Sequence, residues 1–146
     1  MRDKRGISSL DMAAEEAHYA ICGAELDPYN ESPWRYLIGV ITEQWRYIQK
    51  EGSTNDTSDV NGLISNSIAQ IRNMKQSFEE KLSSDENEHV PCVSLISALI
   101  DLLELSSGSE ALEEACALCR ELTRVDLVRR KYWHQRGMEA AAKLKK

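Results

Sequence analysis

Apolar residues recur every three or four positions along most of this 146-residue chain, which is the spacing of one face of an α-helix. Polar or helix-breaking residues divide this pattern into separate runs. The pattern predicts six helices, at about residues 10–26, 33–50, 60–82, 92–105, 110–123 and 127–145. No stretch alternates apolar and polar residues as a half-buried strand does. The sequence therefore predicts an all-α fold.

Two intervals between these runs, residues 51–61 and 83–89, are polar and have no apolar period. We expect both to be loops. The other connections are short, and short connections place successive helices antiparallel. The sequence thus predicts one domain over residues 1–146, built as a stack of antiparallel helix hairpins like an α-α superhelix or a TPR-like solenoid.

The turn between the first two predicted helices has the explicit sequence LDPYNESPW. Pro28 ends the incoming helix, and Asn30 lies at the corner. Ser32 is predicted to cap the next helix, with Pro33 in the first helical position, where a missing N–H costs nothing. Trp34 follows at a point where two helices can close on each other. We therefore expect Trp34 to anchor the packing of this hairpin.

The last predicted helix opens on a second motif, DLVRRKYW. Asp126 is predicted to cap this helix. Arg129 shares a helix face with Tyr132 and with Trp133, at spacings of three and four residues. We expect the stem of this arginine to lie against the aromatic rings, which would keep its charge near the helix end.

The formal net charge is −6, but the charge is unevenly distributed. Residues 124–146 contain eight Lys or Arg and two Asp or Glu, so this segment is basic and the rest of the chain is acidic. The segment is either a solvated helix end or a patch that faces an acidic partner. An acidic body argues against nucleic-acid binding. Because no apolar run reaches ~18 residues and no secretory signal is visible, we expect a cytoplasmic protein with no membrane partner.

Side chains that could carry chemistry do not form a recognisable site. Cys116 and Cys119 form a C-x-x-C motif, but they lie on the apolar face of a predicted helix, which favours core packing over zinc or redox chemistry. The histidines His18, His89 and His134 have no ligand-like spacing to another His or Cys. Motifs for nucleotide phosphates or a nucleophile elbow are also missing. We therefore predict no catalytic, cofactor-binding or metal-binding residue.

The two turn motifs together resemble a known protein family. An Asn four residues before a Trp at the start of a repeat helix, here Asn30 and Trp34, is the signature pair of the protein prenyltransferase alpha-subunit repeat. DPYNESPW resembles the later repeats of the alpha subunit shared by protein farnesyltransferase and geranylgeranyltransferase type I. The segment from Asp126 to Trp133 resembles the closing helix of that subunit. The resemblance covers nearly the whole chain, as the C-terminal part of a longer subunit.

This resemblance implies a structural alpha subunit that wraps, as a crescent of hairpins, around a helical-barrel beta subunit. The beta subunit would hold the zinc ion, with magnesium as a second ion of the complete heterodimer, and most of the pocket for the isoprenoid diphosphate and the CaaX protein. The complex attaches farnesyl or geranylgeranyl to the cysteine of the CaaX motif. The alpha-subunit Lys and Arg of the diphosphate site belong to patterns that this chain lacks. We expect the chain alone to be inactive and to bind no zinc.

Two alternatives stay open: the alpha subunit of the Rab-specific geranylgeranyltransferase, and a non-catalytic helical-repeat scaffold that binds another protein. In a longer subunit the first helix would stack on a preceding repeat. We then expect a face of small residues on this helix to be exposed in the isolated chain. Its members are Met12, Ala13, Ala17, Ala20 and Ala24.

Overall fold

The computed structural model describes residues 9–51, 54–83, 92–106 and 108–145, which are helical apart from short connections. The helices are α1 (Ser9–Leu26), α2 (Glu31–Glu51), α3 (Thr54–Ser83), α4 (Val93–Ser106), α5 (Ser109–Val125) and α6 (Arg130–Leu144), with a 3₁₀ turn at Leu127–Arg129 before α6. Each of these helices packs against its neighbours, so the predicted all-α class is confirmed. In the described ranges no helix is long and apolar enough to cross a membrane.

Helix α3 is longer than the sequence pattern predicted, because it begins at Thr54 rather than near residue 60. The prediction of a loop over residues 51–61 was therefore wrong for residues 54–61. Val60, which is 1% exposed, fixes this part of the helix in the core. Residues 54–61 contain no Pro or Gly, and once a helix is nucleated each further residue adds a backbone hydrogen bond. A polar segment can thus extend a helix whose apolar part is anchored.

The second predicted loop, residues 83–89, lies outside the described residues except for Ser83, which ends α3. Helix α4 follows that gap and forms the centre of the core. It is apolar on nearly all sides, as expected for a helix enclosed by its neighbours α2, α3 and α5. Six of its large side chains are each at most 3% exposed: Leu95, Ile96, Leu99, Ile100, Leu102 and Leu103.

Contacts between helices extend to the next helix but one. Helix α1 packs on α2 and α3, and α2 packs on α3 and α4. Farther along, ion pairs join alternate helices. Arg72 of α3 donates from Nε to Oε2 of Glu114 on α5 at 3.0 Å. Arg136 of α6 donates from Nε to Oε1 of Glu104 on α4 at 2.8 Å. Each of the first four helices therefore touches its successor and the helix after that.

The small-residue face of α1 is buried, contrary to the expectation that it would be exposed, and only Met12 is partly exposed. The other four members, each at most 6% exposed, are Ala13, Ala17, Ala20 and Ala24. Small residues let α1 approach α2 closely: a Cβ built on Gly23 would lie 3.7 Å from Pro33. The exposed face of α1 is the opposite one, where Tyr19 is 77% and Leu26 is 89% exposed.

Candidate functional site: a groove shared by the two turn motifs

Asn30, not Ser32, caps helix α2. The side-chain Oδ1 of Asn30 accepts a hydrogen bond from the backbone N–H of Ser32 at 3.1 Å, and the helix begins at Glu31. This is the usual bond from an N-cap side chain to the second helical residue. The prediction that Ser32 caps the helix was therefore wrong, and Pro33 is the third helical residue. Proline is tolerated there because the first four N–H groups of a helix have no intrahelical acceptor.

Trp34 anchors this turn, as predicted. Its side chain is 2% exposed, and its indole Nε1 donates to the backbone carbonyl of Pro28 at 2.8 Å. The same carbonyl accepts a hydrogen bond from Sγ of Cys92, at the start of α4, at 2.9 Å. Within the turn, the backbone N–H of Asn30 donates to the carbonyl of Asp27 at 3.0 Å. One carbonyl thus joins the α1–α2 turn to α2 and to α4.

The second motif is held by the carboxylate of Asp126. Its Oδ2 accepts a hydrogen bond from the indole Nε1 of Trp133 at 2.8 Å and pairs with Nε of Arg129 at 3.0 Å. Asp126 makes no side-chain capping bond, so its predicted role as a cap was wrong. The reason is the 3₁₀ turn at Leu127–Arg129, which delays the start of α6 to Arg130. The carboxylate then reaches the buried indole, of which 1% is exposed.

Arg136, rather than Arg129, lies against the aromatic pair. Its guanidinium carbon is 6.0 Å from the ring centre of Tyr132 and 5.7 Å from that of Trp133, within cation–π range. The two rings are 4.7 Å apart, and Tyr132 is 47% exposed. The predicted aromatic contact of Arg129 is therefore wrong. Arg129 ends the 3₁₀ turn before α6 and pairs with Asp126 instead.

Arg136 also binds two carboxylates of α4. It donates to Glu104 at 2.8 Å and to Asp101, and its side chain is 15% exposed. Burial would lower the pKa of Arg136, but hydrogen bonds to Glu104 and Asp101 reverse this and raise it. Burial raises the pKa of Asp101, against the opposing effect of Arg136. The guanidinium is therefore permanently charged and joins α6 to α4.

The first and last hairpins close in a similar way. In each, a buried Trp near the start of the second helix donates its indole N–H to an oxygen of the preceding turn. The oxygen is a backbone carbonyl for Trp34 and a carboxylate for Trp133. A buried indole N–H needs such an acceptor, because leaving it unbonded is costly. The α1–α2 and α5–α6 hairpins therefore share one structural device.

Both motifs border one open groove of about 420 Å³ between α2 and α4. Trp34 belongs to its lining, and an ion pair between Arg35 and Glu31 (2.5 Å) lies at one side. Asp101 and Arg129 contribute charges from α4 and from the 3₁₀ turn. The rest of its lining is small, apolar or hydroxylated: Ile38, Gly39, Thr42, Val93, Ser94, Ser97 and Ala98. The groove thus combines charged side chains at its edges with a small, partly apolar floor.

Replacing Asp126 with alanine is expected to lower the free energy of unfolding by about 1–3 kcal/mol, because the buried indole N–H of Trp133 loses its acceptor. Asp126→Asn keeps an oxygen and should fall between alanine and the wild type. Glu139→Ala removes an exposed carboxylate of α6, the helix that carries Trp133, and is the matched control. Chemical denaturation measures all three. Equal stability of Asp126→Ala and Glu139→Ala would contradict this role of the carboxylate.

The C-x-x-C motif is part of the core, as predicted. Cys116 and Cys119 are both buried and free. Sγ of Cys116 donates to the carbonyl of Gly137 at 3.7 Å, and a Cβ built on Gly137 would lie 3.2 Å from Cβ of Cys119. Burial raises the pKa of Cys119 to about 11. The thiol of Cys119 is therefore protonated, and both cysteines are packing groups between α5 and α6.

Thiol reactivity should follow this burial. At about pH 8, well below the raised pKa of Cys119, we expect iodoacetamide to modify the exposed Cys22 first. Cys92, Cys116 and Cys119 are buried and should react slowly. Peptide mass spectrometry against time measures the four rates, and unfolding in guanidinium should make them similar. Modification of Cys119 as fast as that of Cys22 in the native protein would show that α5 and α6 do not pack as described.

Two features were missed in the sequence. His18 and Cys22 lie one helical turn apart on the exposed face of α1, with Nε2 and Sγ 3.6 Å apart. Their four-residue spacing was visible, although it matches no zinc motif. The contact of Arg136 with α4 had no sequence signal, because it joins residues more than thirty positions apart. In the described residues no group of three or more His, Cys, Asp or Glu is placed to hold a metal ion.

The site is therefore a charged and partly apolar groove, bordered by two motifs that the sequence analysis identified independently. Of the predicted motif residues, Trp34 and Arg129 line the groove, while Asn30, Asp126 and Trp133 hold the turns in place. Comparison of the chain with protein-family models, with curated proteins and with solved structures finds no match.

Proposed function

We propose that this chain is the C-terminal part of the alpha subunit of a heterodimeric protein prenyltransferase of the farnesyltransferase/geranylgeranyltransferase type I class. The observation that carries the proposal is the pair Asn30 and Trp34. Asn30 caps the helix, and Trp34 locks the hairpin through the carbonyl of Pro28. The residue pair that identifies the repeat in sequence is thus the pair that builds the turn.

The order of helix contacts supports a repeat architecture. In a superhelix of hairpins each helix contacts its successor and the helix after that. Packing and ion pairs give this order for the first four helices. In the first and the last hairpin a buried indole N–H donates to an oxygen of the preceding turn, and this is a second, independent similarity between the hairpins. We infer a stack of antiparallel hairpins that continues the array of a longer alpha subunit.

The role proposed for the chain is structural. Formation of the thioether between the prenyl group and the CaaX cysteine requires an activated thiolate, and the zinc ion that activates it is assigned to the beta subunit. The isoprenoid diphosphate site, with magnesium, is assigned to the beta subunit and to earlier alpha-subunit repeats. The chain itself contributes rigid helix hairpins. We propose that its groove takes part in assembly with the beta subunit in the cytoplasm.

A chimaera tests this proposal. The upstream repeats of a characterised farnesyltransferase alpha subunit are fused to this chain and co-expressed with the cognate beta subunit. We expect a stable heterodimer that farnesylates a CaaX peptide. The matched control carries unrelated TPR hairpins of equal length in place of this chain and should fail to assemble.

Three outcomes would contradict this proposal or favour one of the alternative hypotheses. A soluble, helical chimaera that does not retain the beta subunit would contradict the proposal and favour a non-catalytic scaffold. Assembly with a Rab-type beta subunit alone would favour the Rab-specific class. Prenylation by this chain and a beta subunit without the upstream repeats would contradict the assignment of no catalytic residue.

A further inference from the structure

The exposed face of α1 places an imidazole beside a thiol. Nε2 of His18 lies 3.6 Å from Sγ of Cys22, one helical turn later, and both side chains are exposed. Neither belongs to the groove or to the turn motifs. The pair is therefore outside the site proposed above.

The separation of the two atoms suits a metal ion. Zinc binds thiolate sulfur at about 2.3 Å and imidazole nitrogen at about 2.0–2.1 Å, so tetrahedral geometry separates the two donors by about 3.5 Å. The observed 3.6 Å is close to this value without any change of the helix. Two ligands one turn apart on a helix are a known way to chelate zinc.

We propose that His18 and Cys22 form a bidentate site for a divalent cation of the zinc type, and that the same pair of a second copy completes a tetrahedral site. The described residues offer no third ligand, because no group of three or more His, Cys, Asp or Glu is placed to hold a metal. A tetrahedral ion held by this pair needs two donors from outside the chain. A second copy related by a two-fold axis supplies the same types of donor.

The surroundings of the pair fit a second copy. Tyr19 and Leu26 lie on the same side of α1 as Cys22, three residues before it and four residues after it, and are 77% and 89% exposed. A second α1 crossing at the metal would remove part of this apolar surface from water. Two-fold symmetric dimers are the commonest oligomers, and such a dimer uses one patch twice.

Charge makes this dimer depend on the metal. Helix α1 has exposed Glu15, Glu16 and Glu25, and no Lys or Arg occurs between Ser9 and Leu26. This negative surface attracts a cation. It also opposes the approach of an identical α1. The ion supplies the bonds that offset the repulsion.

Binding is a simple exchange without redox change. The metal–sulfur bond replaces the S–H bond of Cys22, and the proton leaves to the buffer. Nε2 of His18 donates the lone pair of the neutral imidazole. This proposal differs from the expectation, implied by the family resemblance, that the isolated chain binds no zinc. The site is distinct from the zinc of the proposed beta subunit. Its test uses the 146-residue chain alone, because a preceding repeat packed on α1 would compete with the second copy for this face.

Cobalt(II) reports both ligand type and geometry. Reduced protein is titrated with Co²⁺ in the presence of a phosphine reductant, which prevents disulfide dimers. We expect a sulfur-to-cobalt charge-transfer band and intense visible bands of a tetrahedral ion, saturating at one metal for two chains. Cys22→Ser should abolish the charge-transfer band, and His18→Ala should abolish the tetrahedral spectrum. His134→Ala, which removes an exposed histidine of α6, is the matched control and should titrate like the wild type.

Mass measurement in solution tests the second copy. With Zn²⁺ the protein should double its mass from the 16.5 kDa of one chain, and a chelator should reverse this. Zn²⁺ should also protect Cys22 from alkylation. Absence of a band that depends on Cys22 would overturn the metal site. A band without a change of mass would overturn completion by a second copy, and dimerisation of the Cys22→Ser variant would do the same.

Discussion

Replacing Trp34 with alanine is expected to lower the free energy of unfolding by about 3–5 kcal/mol, the usual cost of truncating a buried aromatic residue. The side chain is 2% exposed and belongs to the core cluster with Leu37 and Ile41. Its loss leaves a cavity where α2 meets the turn. Denaturant titration followed by circular dichroism at 222 nm measures the change.

Two variants separate the causes. Trp34→Phe keeps most of the volume and loses the indole donor, and should cost about 1 kcal/mol. The cost is small because the carbonyl of Pro28 keeps its bond from Cys92. Tyr36→Ala, two positions later and 48% exposed, is the control and should change stability by less than about 0.5 kcal/mol. If Trp34→Ala matches Tyr36→Ala, Trp34 does not anchor the hairpin.

Replacing Arg136 with alanine is expected to cost about 3 kcal/mol, because it leaves Asp101 and Glu104 as partly buried carboxylates without their cation. The guanidinium also loses its contacts with Tyr132 and Trp133. Arg72→Ala is the matched control. It removes another Arg–Glu pair between helices, but its side chain is 50% exposed, so the expected cost is below about 1 kcal/mol.

The loss of unfolding free energy caused by Arg136→Ala should depend on pH. Burial already raises the pKa of Asp101 in the folded protein, and without Arg136 this pKa rises further. When the pKa of a carboxyl is higher in the folded than in the unfolded protein, the folded protein loses stability as the pH rises through the folded-state pKa. The variant should therefore differ more from the wild type at about pH 7 than at about pH 4.5. A deficit that grows on acidification would contradict this ion cluster.

Helix periodicity was enough to predict the fold class and the buried side chains. The stripe of α2 and the all-round apolarity of α4 place Trp34, Leu37 and Leu99 in the core, where the structure has them. Periodicity failed at residues 54–61, because a polar helix turn and a polar loop have the same composition. Only the anchoring of Val60 distinguishes them.

Caps were harder to predict than helices. Asn30 and Ser32 are both good capping residues. In the folded chain the backbone N–H of Asn30 donates to the carbonyl of Asp27, and this turn places Asn30 at the start of α2. Asp126 is a good capping residue as well, but its carboxylate is used by Trp133 and Arg129. In both motifs, the hydrogen bonds of the folded turn decide between alternatives that the sequence leaves nearly equal.

The sequence predicted the two motifs that border the groove, but not the groove itself. The sequence placed chemically distinctive residues at both ends of the chain, but nothing in it showed that Arg35 and Arg129 would border one cavity. That meeting depends on the packing of α2 on α4 and on the 3₁₀ turn before α6. Such long-range placement comes from the packing of the helices on one another rather than from any local pattern.

The transcript that encodes this chain tests the prenyltransferase proposal most directly. Full-length sequencing of the mRNA reads the frame upstream of Met1. The proposal predicts that the frame continues and encodes further Asn–Trp repeats, including one with a Lys-Asn-Tyr sequence for the diphosphate site. A capped transcript whose frame is closed by a stop codon just before Met1 would contradict the proposal and leave a self-contained helical scaffold.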